Sequence, residues 1–362
     1  MEKFAFIIHP LDLEDVGRKF GPLKYLPAPI MEGILRMLPA FKVSQITGIR
    51  SNAGAEAEGW FVGCPLTAKQ MVSLPESVVI PKIIKTAQLG ADLGAKIVGL
   101  GAFTSVVGDG GVTVSQNVPI AVTTGNSYTV YTALEGVRFA ARLLELELER
   151  AHVAVIGATG SIGSACARVL AADVKYMTLV GRNPNKLQRV SEHILTESGI
   201  ACKVSTDANR AISDADIVIT VTSAVGGVVD ARALKPGAIV CDVARPRDIS
   251  RQVAETRDDV LVFEGGVVQV PGNPNFNFNF GFPEGTSYAC MAETMLLALE
   301  GKYENFSLGK ELSLERVMEI GRLAQKHGFK LAGLRSFERA LDESQILSLR
   351  DRLVRKTVVG LA

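Results

Sequence analysis

The stretch His152-Val153-Ala154-Val155-Ile156-Gly157-Ala158-Thr159-Gly160-Ser161-Ile162-Gly163 decides the fold of this chain. An apolar run ends in a glycine-rich turn, and a helix-compatible segment follows over residues 164–172. Strand, tight turn and helix in this order aim backbone N–H groups and a helix N-terminus at a pyrophosphate. A glycine-rich turn without a ligand is the alternative. The predicted dinucleotide contacts are Gly157, Thr159, Gly160, Ser161, Ile162 and Gly163.

Apolar segments and helical segments alternate after this turn. Their order predicts a doubly wound, parallel, Rossmann-like α/β sheet, accompanied by a second α/β substrate domain and a helical C-terminal segment. The predicted domains are an N-terminal substrate domain over 1–149 that ends in a linking helix, an NADP-binding domain over 150–270, and a C-terminal loop and helices over 271–362. Within the last part, a loop is predicted over 271–285 and helices over 287–300, 313–327 and 336–355.

Composition limits the possible partners. The 362 residues carry a net charge of +1, from 39 basic and 38 acidic side chains, so no global field favours nucleic acid or an anionic membrane. The five cysteines form no C-x-x-C pair and no metal-ligand spacing with the histidines, so we expect no disulfide and no metal. No apolar run reaches the roughly 20 residues of a membrane span. We expect a soluble, cytoplasmic protein with at most peripheral membrane contact. The apolar stretch over 27–39 predicts a short helix that packs on its own domain, and the alternatives are that it lines an apolar tunnel or touches a membrane surface.

The residues after the second Rossmann strand predict the cofactor. NAD-preferring domains usually have a carboxylate here that binds the ribose hydroxyls. This chain has Gly181-Arg182-Asn183 instead. A guanidinium can pair with a 2′-phosphate that a carboxylate would repel, so Arg182 and Asn183 favour NADPH. A solvated surface charge is the other interpretation of Arg182.

Cys290 is the candidate nucleophile. It follows Gly285-Thr286-Ser287, and with Ser287 as N-cap it would occupy position N3 of a helix. Unpaired N–H groups and the helix dipole favour a thiolate at such a position, although a packed, inert cysteine is an open alternative. Glu293 lies one turn further along the predicted helix. Asn126 is a good N-cap type for the long helix that follows it, and a polar contact to substrate or nicotinamide is its other predicted role.

Several blocks of sequence carry a family resemblance. They are Gly101-Ala102-Phe103-Thr104-Ser105, Thr124-Gly125-Asn126-Ser127-Tyr128-Thr129, Gly157 to Gly163, Gly265-Gly266-Val267-Val268, Ala289-Cys290-Met291-Ala292-Glu293, and the tract from Glu300-Gly301 to Lys326-His327-Gly328-Phe329. With these blocks the chain resembles the long-chain acyl-[acyl-carrier-protein] reductases known from cyanobacteria. The resemblance implies NADPH-dependent reduction of a fatty acyl thioester, carried by acyl carrier protein or CoA, to a fatty aldehyde. It places the nucleophile that forms the thioester intermediate at Cys290, and we assign Gly265 to cofactor binding.

The remaining expected roles concern the oxyanion, the proton and the partner. Asn126 and Ser105 are candidates for stabilising the oxyanion, and His327 or Glu293 for moving the proton. An aldehyde-consuming enzyme is the possible protein partner. A shikimate- or quinate-dehydrogenase-like enzyme is an alternative that needs a Lys/Asp pair, for which Lys96 is available. The sequence also leaves open a glutamyl-tRNA-reductase-like enzyme and a non-catalytic NADP(H)-binding sensor.

Overall fold

A computed structural model describes residues 1–13, 26–222, 229–244, 247–249, 253, 256–279, 283–337 and 339–359. The chain forms two compact units. The first unit contains residues 1–128, 269–310 and 319–330, and the second contains residues 129–268, 311–318 and 331–362. This clustering differs from the predicted domain boundaries, because residues 271–362 contribute to both units.

The elements are numbered in chain order. The strands are β1 (Glu2–Ile8), β2 (Phe41–Arg50), β3 (Glu56–Gly63), β4 (Ile97–Leu100), β5 (Ala121–Thr123), β6 (His152–Ile156), β7 (Tyr176–Val180), β8 (Lys203–Ser205), β9 (Ile217–Thr220), β10 (Ile239–Asp242), β11 (Leu261–Glu264), β12 (Val267–Gln269), β13 (Gly272–Asn275), β14 (Thr286–Tyr288), β15 (Lys330–Leu331), β16 (Arg335–Ser336) and β17 (Arg339–Ala340). The α-helices are α1 (Ala28–Met37), α2 (Ala68–Ser73), α3 (Glu76–Asp92), α4 (Val112–Gln116), α5 (Asn126–Leu143), α6 (Ser161–Leu170), α7 (Pro184–Ser198), α8 (Ala208–Ser213), α9 (Ala289–Leu299), α10 (Leu314–His327) and α11 (Glu343–Val359). Short 3₁₀ helices are Ala102–Ser105, Leu148–Arg150 and Ala231–Ala233.

A mixed sheet organises the first unit. Its strand order is β13-β2-β3-β1-β4-β5. The pairs of β1 with β3, β1 with β4, and β4 with β5 are parallel, whereas β2 runs antiparallel to β3 and β13 to β2. Successive side chains of β1 alternate between the faces, so Ala5 packs toward α3 and Phe6 toward Gly99 and Thr294 on the α9 side. Helix α9 is almost entirely buried, which explains its continuous apolar sequence.

The second unit has the predicted doubly wound architecture. Its sheet has the order β11-β10-β9-β6-β7-β8, and all five pairs are parallel. This is the strand order of a dinucleotide-binding sheet, with the topological switch between β6 and β9. Buried clusters cover both faces, and α11 contributes Ile346 and Leu349 to one of them. Among the described residues, no helix combines the length and apolarity needed to cross a membrane.

Two sequence-based expectations for secondary structure are wrong in part. The predicted loop 271–285 contains β13, which pairs with β2 where Gly48 and Gly272 bring the backbones together. The sequence of β13 has no alternation of apolar and polar residues that would predict a strand. The pairing with β2 depends instead on the close approach of the two backbones. The predicted helix 336–355 begins only at Glu343, after the short hairpin β16–β17.

Candidate active site and nucleotide-binding turn

The turn between β6 and α6 requires glycine at two positions. Gly157 has a φ of +84°, and a Cβ there would lie 2.2 Å from the Val221 carbonyl oxygen. A Cβ at Gly163 would lie 2.3 Å from the Gly157 carbonyl oxygen. The Gly160 amide closes the turn by donating to the same oxygen at 2.9 Å. Backbone packing therefore accounts for Gly157 and Gly163 without a ligand.

Gly160 points more directly to a bound group. Its added Cβ would meet one neighbouring atom at 3.3 Å, so the fold itself restricts this position much less. Gly160 is exposed and is the N-cap of α6, and Thr159 beside it is exposed as well. Ser161 and Ile162, the first helical residues, are half-buried. An open helix N-terminus with no side chain over it fits the phosphates of a dinucleotide.

Arg182 lies just beyond the carboxyl end of β7 and is exposed. Within the described ranges, no carboxylate or other group pairs with its guanidinium. Asn183 has a structural task instead, because its Oδ1 caps α7 by accepting from the Lys186 amide at 3.0 Å. The arrangement fits a 2′-phosphate on Arg182, while a direct cofactor contact from Asn183 stays a prediction.

Removing the Arg182 guanidinium is expected to weaken NADPH binding selectively. A charge-assisted hydrogen bond contributes about 1.5–3 kcal/mol, so Arg182→Ala should raise the Kd for NADPH by about 10- to 100-fold. The Kd for NADH, which has no 2′-phosphate, should change little. Nucleotide fluorescence titration measures both constants. Arg189→Ala removes the same charge further along α7 and is the control; an equal loss in that variant would refute the assignment.

Gly265 has a packing explanation. It follows β11, and its added Cβ would lie 3.0 Å from Cys241 Sγ and 3.2 Å from Ala133 Cβ. Its amide donates to the Asp242 carbonyl at 2.9 Å. β11 is the edge strand three positions from β6, roughly 14 Å across the sheet. Its predicted role in cofactor binding therefore has no local support beyond its place at the carboxyl edge.

Cys290 lies in the first turn of α9, in the first unit. The expectation of a Ser287 N-cap is wrong: Tyr288 is the N-cap, so Cys290 is N2 rather than N3, and Ser287 belongs to β14. The Cys290 side chain is half-buried. Burial raises the pKa of the thiols of Cys64 and Cys202 to about 11, and that of Cys166 to about 12, so these cysteines suit packing rather than reaction at neutral pH.

The turn after β5 is built against Cys290. Gly125 has a φ of +75°, and a Cβ on it would lie 2.3 Å from Cys290 Cα and 2.4 Å from Cys290 Cβ. Helix α5 begins at the next residue, Asn126. The N-termini of α5 and α9 therefore meet at this point, and each presents the positive end of its dipole there.

Glu293 holds the two helices in this arrangement. It is fully buried, and its carboxylate accepts hydrogen bonds from the Thr123 hydroxyl and, at 2.7 Å, from the Tyr128 amide in the first turn of α5. Burial raises the pKa of the Glu293 carboxyl group, because the surrounding hydrogen bonds do not fully offset its desolvation. Glu293 thus links the β5–α5 turn to the helix that carries Cys290.

Glu293→Gln should change how stability depends on pH. A glutamate with a raised pKa keeps a proton in the folded state that the unfolded state releases, so wild-type stability falls as pH rises from about 4 through the raised folded value. The glutamine variant lacks this loss, so its stability relative to wild type should increase with pH, by at most about 1.4 kcal/mol per pH unit. Urea unfolding between pH 4 and 8 measures the difference. Exposed Glu192→Gln is the control, and parallel wild-type and Glu293→Gln curves would contradict the prediction.

The remaining predicted catalytic residues differ in position. Asn126 is 8 % exposed, and no hydrogen bond joins its side chain to another described residue, so the expected N-cap bond is absent from the described structure. The Ser105 hydroxyl donates to the Ala102 carbonyl at 2.7 Å within a 3₁₀ turn. Asn126 therefore suits contact with a bound carbonyl oxygen better than Ser105 does.

His327 lies away from Cys290 and is buried. Its Nε2 contacts a Glu300 carboxylate oxygen at 2.8 Å and its Nδ1 contacts Ser51 Oγ at 2.7 Å. Glu300 follows the C-terminal end of α9, about 15 Å along the axis from Cys290. His327 therefore fastens the far end of the helix, and we leave it out of the proposed catalytic set.

Sequence reasoning missed the hydrogen bonds that hold the β5–α5 turn, which lies against Cys290. Ser307 Oγ donates to Ser127 Oγ at 2.7 Å, and the Ser307 carbonyl accepts from the Thr124 hydroxyl at 2.5 Å. These contacts join segments about 180 residues apart, as the separations of 180 and 183 show. Both segments belong to the blocks that carry the family resemblance, but no local sequence pattern predicts that they contact each other. Among the described residues, no group of His, Cys, Asp and Glu side chains could hold a metal ion.

The second unit is an NADP(H)-binding Rossmann unit, and the chain has the fold of NAD(P)-dependent oxidoreductases. The family profile of shikimate / quinate 5-dehydrogenase matches residues 138–264. The chain is 32% identical to aminotransferase PigE of Serratia sp. (strain ATCC 39006) over 96% of its own length, and it spans 42% of that protein. It is 28% identical to the long-chain acyl-[acyl-carrier-protein] reductase of Synechococcus elongatus, over 90% of this chain and 98% of that one. A crystal structure of L-tryptophan dehydrogenase from Nostoc punctiforme is 13% identical, with a TM-score of 0.42 over 98% of this chain and 89% of that one.

Proposed function

We propose that the protein reduces a fatty acyl thioester to a fatty aldehyde with NADPH, through an acyl group carried on Cys290. One observation carries the proposal: the β5–α5 turn approaches Cys290 so closely that only glycine fits at position 125. The similarity to the Synechococcus acyl-[acyl-carrier-protein] reductase supports the same substrate class.

The proposed reaction begins with Cys290. Its thiolate, favoured by the N–H groups at the start of α9, attacks the thioester carbonyl carbon, and the bond from that carbon to the carrier sulfur breaks. The carrier leaves as a thiolate, which takes a proton from solvent. When bound, NADPH supplies the hydride that reduces the acyl-enzyme carbonyl. The hemithioacetal on Cys290 then collapses, which releases the aldehyde and restores the thiolate.

We assign stabilisation of the oxyanion to the start of α5. The Asn126 side-chain amide has no hydrogen-bonding partner within the described part of the chain, and the first turn of α9 lies beside the turn that precedes it. Glu293 acts as a positioning residue, because Thr123 and Tyr128 already occupy its carboxylate oxygens. Ser105 is a weaker candidate for stabilising the oxyanion.

An aldehyde product calls for an enzyme that consumes it. Free fatty aldehydes react with amines, and the carbonyl group is an acceptor for amino transfer. One of the curated relatives is named an aminotransferase, and this chain spans 42% of it. We propose an aldehyde-consuming enzyme as the downstream partner, with amino transfer as one reaction class that fits.

The shikimate-type alternative rests on the profile match to residues 138–264, which covers only part of the chain. Its required lysine is poorly placed. Lys96 Nζ lies 3.1 Å from a Glu2 carboxylate oxygen, beside the amino ends of β1 and β4. Cys290 and Gly125 lie at the opposite, carboxyl edge of that sheet. A Lys/Asp pair that includes Lys96 would therefore lie at the opposite edge of the sheet from the β5–α5 turn.

A thioester screen tests the proposal. Purified protein is incubated with NADPH and acyl-CoA or acyl carrier thioesters of graded chain length, and both NADPH absorbance and trapped aldehyde are measured. We expect one mole of aldehyde for each mole of NADPH oxidised. NADPH binding without thioester-dependent oxidation would instead support the non-catalytic sensor, and oxidation with a hydroxy- or keto-acid pair would support the dehydrogenase alternative.

A further inference from the structure

The carboxylate at the end of β10 binds residues that follow the strand. Asp242, the last residue of β10, is 2 % exposed. Its carboxylate accepts from the Ala244 amide at 3.0 Å and from the Ile249 amide at 2.9 Å. It also accepts from the Thr220 hydroxyl at 3.2 Å, at the end of β9. The described residues 243, 244 and 247–249 are therefore fixed to the carboxyl ends of two strands.

Asp248 makes a second attachment to β9. It is fully buried, and its carboxylate accepts from the Thr222 amide at 2.9 Å and from the Thr222 hydroxyl at 2.5 Å. Thr222 follows β9 by two residues. Burial raises the pKa of the Asp248 carboxyl group, so an acid is an expensive choice at this position. A packed apolar residue would cost less, so the hydrogen bonds to Thr222 are the benefit that the acid provides.

A third attachment reaches β11 and the C-terminal hairpin. Arg247 pairs with buried Glu264, at 2.6 Å between Nη2 and Oε1, and its guanidinium lies 5.0 Å from the centre of the Phe337 ring. Phe337 has a φ of +47°, which is rare for a bulky side chain. Arg247 thus joins the end of β11 to the residue that follows β16.

The hydrogen bonds and the ion pair described above all lie at the carboxyl ends of β9, β10 and β11, which form one half of the sheet. Thr220, Asp242 and Glu264 are paired in register and end β9, β10 and β11. These strands lie on one side of the topological switch, and the glycine turn and Arg182 lie on the other. A dinucleotide crosses the carboxyl edge at the switch, so a 2′-phosphate on Arg182 leaves the nicotinamide half on the β9 side of the switch.

We propose that Asp248 is a positioning residue for the nicotinamide half of the cofactor, which it serves by holding Thr222 at the end of β9. The inference rests on the nucleotide assignment within the proposed function, and it is independent of Cys290 and of the thioester. It requires that loss of the Asp248–Thr222 bonds affect ligands with a nicotinamide ring more than ligands without one. A purely structural role would affect both equally.

Binding of two ligands separates these roles. NADPH contains the nicotinamide riboside, and 2′-phospho-ADP-ribose lacks the nicotinamide ring. In Asp248→Asn an NH₂ donor replaces one of the two oxygens that accept hydrogen bonds from Thr222. We expect the Kd for NADPH to rise about tenfold, because the end of β9 is no longer held in place. The Kd for the fragment 2′-phospho-ADP-ribose should stay within about twofold of the wild-type value. Thr222→Val keeps the hydrogen bond from the backbone N–H of residue 222 to Asp248 but lacks the hydroxyl, so it should show a smaller rise in the Kd for NADPH. Thr222→Ser keeps both hydrogen bonds and should bind NADPH with wild-type affinity.

Calorimetric titration provides both constants, and Asp207→Asn, which removes an exposed carboxylate at the start of α8, is the charge control. Two results would overturn the positioning role and leave the nucleotide assignment intact. One is an equal loss of affinity for NADPH and for the fragment. The other is unchanged NADPH affinity in both Asp248→Asn and Thr222→Val. If Asp248→Asn does not fold, the Thr222 pair alone decides the outcome. A wild-type protein that binds neither ligand would overturn the nucleotide assignment as well.

Discussion

Cys290→Ser protein should lose at least about 1,000-fold of its thioester-dependent NADPH oxidation, because an un-ionised hydroxyl is a far weaker nucleophile than a thiolate at a helix N-terminus. The Kd for NADPH should remain at the wild-type value, since the substitution replaces one atom of a half-buried side chain and leaves the glycine turn after β6 unchanged. Stability should change little, because the half-buried side chain keeps its shape. Steady-state absorbance assays and fluorescence titration measure the two effects separately.

Two further measurements make this result specific. Intact-mass spectrometry of wild-type protein with acyl-CoA and no NADPH should show one added acyl group, which Cys290→Ser should lack. Cys202→Ser is the matched control, because Cys202 is also partly exposed but burial raises the pKa of its thiol to about 11. Undiminished aldehyde production by Cys290→Ser would end the covalent scheme, whatever the mass spectra show.

The fold of the second unit was predictable because its signals are local. The apolar run of β6, the glycine turn and the start of α6 lie within a dozen consecutive residues, and each physical requirement can be read there. Right-handed crossovers then restrict how the later strands can be added. The structure confirms the resulting doubly wound sheet. Its strand order needed no information from the first unit.

The surroundings of Cys290 were predictable only in part. A cysteine near a helix start is a local signal, and the structure places it one position closer to the N-cap than expected. The bonds of Glu293 to Thr123 and Tyr128 cross 170 and 165 residues of sequence, and the helical spacing of Glu293 gives no sign of them. The contacts of His327 were equally hidden: its residue type suggested proton transfer, and its contacts with Ser51 and Glu300 fit a structural role at the C-terminal end of α9.

Gly125→Ala should be the most damaging substitution outside the cysteine itself. Its Cβ would lie 2.3 Å from Cys290 Cα, and backbone atoms at that distance cannot turn aside as a flexible side chain can. The left-handed conformation adds about 1–2 kcal/mol of strain for a residue with a Cβ. The start of α9 must therefore shift, and a displacement of about 1 Å at a reacting group can reduce kcat/KM by about 100-fold.

Gly54→Ala distinguishes the clash from the strain. Gly54 has a φ of +87° in the same unit, but an added Cβ would meet no atom within 4 Å. In both variants the left-handed backbone should lower the free energy of unfolding by a similar amount. In Gly125→Ala the contact with Cys290 should lower it further. Only Gly125→Ala should also lose thioester reduction, while NADPH affinity should be unchanged in both. Equal activity of the two variants would show that the β5–α5 turn does not position the cysteine, and the strongest structural support for the thioester mechanism would then be lost.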